Sequence, residues 1–131
     1  MKLLLDTHIW LWALLEPERL SAEVRNALQS PDNELWLSPV SVWEATILAQ
    51  RGRLAVSAEI GTWIRRMVAA MPRREAPLTH EIAIASRELS LPHEDPADRF
   101  LAAPAKILDL TLVTADARLL DSSDFAVLAN R

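Results

Sequence analysis

A parallel α/β sheet between layers of helix is the fold this sequence predicts, and three observations carry it. Short apolar runs at 2–5, 34–38 and 111–114 alternate with stretches of helical spacing, the signature of βα units. Polar caps and prolines punctuate the boundaries between them. The 131 residues, half of them apolar, suffice for one domain with a real core. We therefore expect a single domain over 1–131, with a central parallel sheet of four to five strands flanked by helices.

Taken in order, residues 2–5 read as a short buried strand, and Thr7 is placed to cap a helix through Leu15, which Pro17 stops. Ser21 caps a second helix to about Gln29, and Ser30-Pro31-Asp32-Asn33 is turn chemistry. A second strand spans 34–38. Ser38 followed by Pro39 then starts a helix that carries Trp43, Ile47 and Leu48 inward and ends at Gly52. Ser57 starts another, with Ile60, Trp63, Ile64, Met67 and Val68 at helical spacing up to Pro72. Thr79 starts the next, and Asp95-Pro96 opens a helix to about Leu108. Pro104 inside that helix lacks an N–H and clashes with the carbonyl four residues back, which predicts a kink there or a break near Ala103. Residues 111–114 form a strand, Asp116 can cap a short helix at 117–120, and Ala126-Val127-Leu128 form the last strand.

Composition excludes several functions. There is no cysteine, hence no disulfide, zinc–thiolate site or cysteine nucleophile, which fits a reducing cytoplasm. Asp6 and His8 interrupt the first apolar stretch, and the longest unbroken run, Ile9 to Leu15, is far too short to span a bilayer. A soluble, cytoplasmic protein is expected. Two glycines leave no Gly-rich phosphate loop, so P-loop and dinucleotide readings fail.

Four acids mark the ends of apolar segments. Asp6 closes Leu3-Leu4-Leu5, Glu44 lies early in the helical run after the second strand, Asp98 stands in Asp95-Pro96-Ala97-Asp98-Arg99, and Asp116 follows Leu112-Val113-Thr114. In an open parallel sheet, ligands bind beyond the carboxyl ends of the strands, so these carboxylates should converge. Their repulsion, about 4 kcal/mol per pair at ~4 Å and an effective dielectric near 20, is relieved by a hard divalent cation such as Mg²⁺. Each acid alone has an ordinary explanation: Asp6 and Asp116 as helix caps, Glu44 on a solvent face, Asp98 in a surface pair with Arg99. Asp95 reads as the cap before Pro96.

The segments Leu3-Leu4-Leu5-Asp6-Thr7, Ser41-Val42-Trp43-Glu44, Asp95-Pro96-Ala97-Asp98-Arg99 and Leu112-Val113-Thr114-Ala115-Asp116 resemble the four signature stretches of PIN domains. More closely, the whole chain is similar to VapC-type toxins of bacterial toxin–antitoxin pairs. The resemblance implies a Mg²⁺- or Mn²⁺-dependent endoribonuclease, a homodimer and a VapB-like antitoxin. It carries metal binding and catalysis onto Asp6, Glu44, Asp98 and Asp116. Thr7, Ser41 and Thr114 match positions that support the acids by hydrogen bonds, and Arg99 matches the usual basic residue after the third acid.

The chemistry agrees. A metal held by carboxylates activates water for in-line attack on a phosphodiester, leaving 5′-phosphate and 3′-hydroxyl ends. A metal-free route needs a histidine pair, and His8, His80 and His93 are the only histidines. His8 is close enough to Asp6 to line a pocket, whereas His80 reads as first-turn helix and His93 as loop. A phosphatase of the haloacid dehalogenase type wants a second Asp two residues after the first, where this chain has His8. A non-catalytic PIN-like module that binds RNA or protein is the alternative.

Net charge is −4, from 14 basic and 18 acidic residues; setting the four site acids aside leaves 14 against 14. Twelve of the basic residues are Arg, which suits phosphate. Arg51, Arg53, Arg65, Arg66, Arg73 and Arg74 crowd the middle third and are the candidates for RNA backbone contacts. Five tryptophans occur beside no tyrosine, and core or interface packing explains them better than base stacking. Trp10 and Trp12 cannot face the same way on one helix.

Overall fold

The computed structural model describes residues 1–71, 73–92 and 94–131. Among these residues five strands form one all-parallel sheet: β1 (Lys2–Leu5), β2 (Glu34–Leu37), β3 (Arg74–Glu75), β4 (Thr111–Thr114) and β5 (Ala126–Ala129). The spatial order is β3-β2-β1-β4-β5, so β1 is central and the order reverses beside it. Register is direct: Leu4 faces Trp36 of β2 and Leu112 of β4. The helices are α1 (Thr7–Leu15), α2 (Ala22–Gln29), α3 (Pro39–Gln50), α4 (Ile60–Ala69), α5 (His80–Glu88), α6 (Pro96–Ile107) and α7 (Ala117–Leu120).

Strand alternation divides β1 between two cores. Leu3 and Leu5 pack with Ile9, Trp10, Val24, Ala45, Trp63 and Val113 on one face. Leu4 packs with Ala105, Leu110, Leu112 and Leu119 on the other. All three leucines are essentially inaccessible, and each contributes about 2 kcal/mol by leaving water. This burial on both faces is why β1 reads as an unbroken apolar run. A third cluster, Ile82, Ala85, Leu89, Ala102 and Ala103, joins α5 to α6. Among the described residues no helix is long and apolar enough to cross a membrane.

Several boundaries differ from expectation. Asp6, not Thr7, caps α1, accepting from the Thr7 amide at 2.7 Å. The fourth helix begins at Ile60 rather than Ser57, because the Glu59 carboxylate takes the amides of Gly61 and Thr62, a charge-assisted cap. Its expected end at Pro72 lies outside the described residues, as does the expected loop at His93. Ser38 ends β2 as the cap of α3, and a single 3₁₀ turn at Pro17–Arg19 follows α1.

Two departures have packing causes. α6 runs unbroken through Pro104. Ala102, Ala103, Pro104 and Ala105 are all buried, and the small side chains let the helix lie close against α5 and the sheet, where tertiary packing offsets the lost hydrogen bond. Trp43 points outward and is 58% exposed. The apolar residues of α3 run all round the helix, so periodicity could not fix which face is inward.

Candidate active site

The carboxyl edge of the sheet gathers the four acids from four elements. Asp6 follows β1, Asp116 follows β4, Asp98 lies in the first turn of α6, and Glu44 lies in the second turn of α3. With Asp95, all of them line one pocket of about 380 Å³, which Thr7, His8, Trp12, Ala115 and Arg118 complete. The sheet order explains the convergence. β1 and β4 are neighbours with Leu5 beside Val113, so Asp6 comes level with Thr114 and Asp116 follows two residues on, at the same edge. Caps hold the rest: Ser38 starts α3, and Asp95 starts α6 by accepting from Ala97 and Asp98 amides at 3.0 and 3.4 Å.

A hydroxyl network fixes the carboxylates. Thr114 Oγ1 donates to Asp6 Oδ2 at 2.6 Å and accepts from the Asp116 amide at 3.0 Å. Thr7 Oγ1 donates to Glu44 Oε1 at 2.7 Å and lies 3.0 Å from Ser41 Oγ. Thr7 has one proton, and the carboxylate can only accept, so Ser41 donates to Thr7. Thr7, Ser41 and Thr114 are all buried.

The charges here are under strain. Burial pushes the Asp6 carboxyl above its usual range, against the opposing bonds from Thr114 and Thr7. Burial, and then the Asp6 charge, likewise raise Glu44, opposed by Thr7. Asp98 is pushed up to about 7, first by burial and then by Asp95, although Arg118 works in the other direction. The acids thus sit where an added cation would stabilise their charged forms.

One residue of the pocket was not among the site candidates of the sequence. Arg118 Nη2 donates to Asp116 Oδ2 at 2.8 Å and to Asp98 Oδ2 at 3.2 Å, and its Nε reaches Asp116 Oδ1 at 3.1 Å. Its place follows from α7 starting directly after Asp116, the short helix expected there, which sets Arg118 in its first turn. Arg99, by contrast, turns away from the acids. It is buried and donates to the carbonyls of Ser86 and Leu89 and to Glu94, tying the end of α5 to α6. Only its neighbour Asp98 faces the pocket.

Oxygen-only donors of this kind suit Mg²⁺ or Mn²⁺, so the residues fit such an ion. As they stand, no three acids among the described residues are gathered as a ready ligand set; Asp98 and Asp116 share Arg118 instead.

The basic candidates separate. Arg53 lines a groove of about 570 Å³ with Arg19, Glu16 and Leu54, and this groove shares His8 and Trp12 with the acidic pocket. The Arg19 guanidinium lies 4.4 Å from the Trp12 ring centroid, with His8 5.8 Å away on the same indole. Arg73 and Arg74 line another groove with Ser30, Pro31, Asn33 and Glu34, at the amino end of β2, and Arg74 pairs with Glu34 at 3.2 Å. Arg51, Arg65 and Arg66 are exposed.

The family model for the PIN domain matches residues 3–124. The chain belongs to the PIN domain family. This PIN domain is 32% identical over 119 residues to Ribonuclease VapC22 of Mycobacterium tuberculosis, covering 88% of each chain. Two solved structures share its fold. One is VapBC2 from Rickettsia felis bound to a DNA fragment from their promoter, with a TM-score of 0.74, 15% identity and full coverage of both chains. The other is VapBC-5 from Mycobacterium tuberculosis, a member of the VapBC family of toxin–antitoxin systems, with a TM-score of 0.59 and 20% identity over 99% of this chain and 98% of that one.

Proposed function

We propose that this PIN domain is a VapC-type toxin, an endoribonuclease dependent on Mg²⁺ or Mn²⁺ and neutralised by a VapB-like antitoxin. The observation that carries the reading is the convergence of Asp6, Glu44, Asp98 and Asp116 on one pocket at the carboxyl edge of the sheet. The likeness to a protein named as a ribonuclease supports it.

Asp6, Asp98 and Asp116 would hold the ion, which would supply a lowered pKa for water and positive charge for the phosphate oxygens. The chain's own residues do the remaining work. Thr114 aims Asp6 and favours its ionised form by donating to it. Thr7 fixes Glu44 through one oxygen, leaving Oε2 to accept from the attacking water and orient it. The groove with Arg53, Arg19, His8 and Trp12 runs into the pocket and supplies cations for the RNA backbone beside aromatic faces. Arg73 and Arg74 are less suited, at the far edge of the sheet. The toxin acts as a homodimer, and binding of the antitoxin silences it.

The test is cleavage of a labelled RNA by purified toxin freed of antitoxin. Hydrolysis should need Mg²⁺ or Mn²⁺, stop in EDTA, leave 5′-phosphate ends and vanish in Asp98→Asn. Cleavage persisting in excess EDTA would exclude the metal mechanism. Co-expression of a small antitoxin from the same operon should relieve growth arrest; arrest that needs no intact Asp98 would remove nuclease activity as its cause.

A further inference from the structure

We propose that Arg118 is a built-in competitor of the metal, a guanidinium that yields Asp98 and Asp116 to the divalent ion and turns onto the substrate phosphate. The inference rests on the nuclease reading above and assigns a role to a residue outside the four acids.

The geometry carries it. Among the described residues, Arg118 is the one guanidinium lining the acidic pocket. It bonds through Nε and Nη2 to both oxygens of Asp116, and through Nη2 to Asp98 Oδ2. These are oxygens that the expected ion would need. Two cations cannot occupy the same oxygens without strong mutual repulsion, so binding of one displaces the other.

The residue is also built to move without being lost. Its backbone is fixed: the Arg118 amide donates to Asp116 Oδ1 at 2.9 Å, and the next residue, Leu119, is fully buried. Its side chain is 54% exposed, whereas those of Asp98 and Asp116 are 13% and 26% exposed. The guanidinium can therefore swing on a fixed Cα at the rim of the pocket. A displaced guanidinium there faces the place where a scissile phosphate must lie, and its planar fork matches phosphate oxygens. As a plain surface staple between α6 and α7 it would contribute little, being largely in water.

The two roles predict effects of opposite sign, which loss of a structural staple does not. Mn²⁺ binding would be titrated calorimetrically into the wild type, Arg118→Ala and Arg118→Lys, with each fold checked by circular dichroism. Cleavage of an RNA oligonucleotide would then be measured at saturating Mn²⁺. Arg118→Ala should bind Mn²⁺ about three- to fivefold more tightly, the size expected for losing a partly exposed ion-pair competitor. Its KM should rise about tenfold from the lost charged contact. Arg118→Lys keeps the charge without the fork and should fall between the two in both measurements. Unchanged or weaker Mn²⁺ binding in Arg118→Ala, with a wild type that binds, overturns the competition and leaves the nuclease reading standing. An unchanged KM overturns the phosphate contact. Absence of Mn²⁺ binding in all three folded proteins overturns the nuclease reading, and this inference with it.

Discussion

Thr114 and Asp6 are 108 residues apart in sequence, yet the Thr114 hydroxyl donates to the Asp6 carboxylate at 2.6 Å. The bond ties together the ends of two adjacent strands and opposes the burial that pushes Asp6 toward its neutral form. Thr114→Val keeps the shape but removes both the donor to Asp6 and the acceptor for the Asp116 amide. It should destabilise the protein by about 1–3 kcal/mol, measured by urea unfolding, and move the onset of metal binding to higher pH. A stability equal to the wild type would mean that the bond contributes nothing net.

Asp98→Asn removes a charge while keeping size. RNA cleavage should fall below detection, and the thermal midpoint without metal should hold or rise, because one carboxylate near Asp95, Asp6 and Asp116 no longer repels them. A lower midpoint together with lost activity would point to a structural role for the charge.

Metal binding and stability should respond to pH in opposite directions. Asp98 titrates near 7 when folded, against 3.8 ordinarily. The folded state therefore holds its proton more tightly than the unfolded chain does. The associated stability is fully present below about pH 3.8 and is lost as pH rises through 7. Burial shifts Asp6 and Glu44 the same way. Without metal, the thermal midpoint should fall between pH 5 and 8 as these acids ionise. Over the same range the stabilisation by added Mg²⁺ should grow, since only ionised carboxylates bind it. Differential scanning fluorimetry with and without Mg²⁺ separates the two trends, and a metal effect that shrinks toward pH 8 would contradict the assignment.

Arg99 ties α5 to α6 through the carbonyls of Ser86 and Leu89, and a fastening role is the one we expect of it. Arg99→Ala leaves the carbonyls of Ser86 and Leu89 without their buried donor and should cost about 2–4 kcal/mol. At a temperature where it is still folded, Mn²⁺ affinity should stay within twofold or so of the wild type, as an uncoupled site demands. A tenfold loss would return Arg99 to the pocket.

The path of RNA can be read from salt dependence. Arg53→Ala in the groove beside the acids should reduce the slope of log affinity against log salt by roughly one unit, in a cleavage-dead background. Paired replacement of Arg73 and Arg74 should leave the slope as it was. The reverse outcome would move the path to the amino end of β2.

Much of this was legible because the governing physics is local. A strand buried on both faces must be apolar throughout, so Leu3-Leu4-Leu5 and Leu112-Val113 declare themselves, and with them the positions of Asp6 and Asp116. Ser38, Thr79 and Asp95 signalled helix starts through cap chemistry. What stayed hidden depends on tertiary context. β3 is two exposed residues, Arg74 and Glu75, recruited by β2. The outward face of Trp43 is set by what α3 packs against, and Pro104 is tolerated because alanines surround it. Arg99 was singled out by its place after Asp98 and Arg118 was not; only the fold buries the first and hangs the second over the pocket.

The central position of β1 has a consequence for biosynthesis. Its acid is made first, yet the threonine that steadies that acid lies at the end of β4, and β4 cannot pair until its residues have been synthesised. A chain released before Thr111 carries Asp6, Glu44 and Asp98 but lacks the neighbouring strand and Asp116. Products that end before Asp116 should therefore be harmless to the cell that makes them, and lethality would begin only once the chain extends past it.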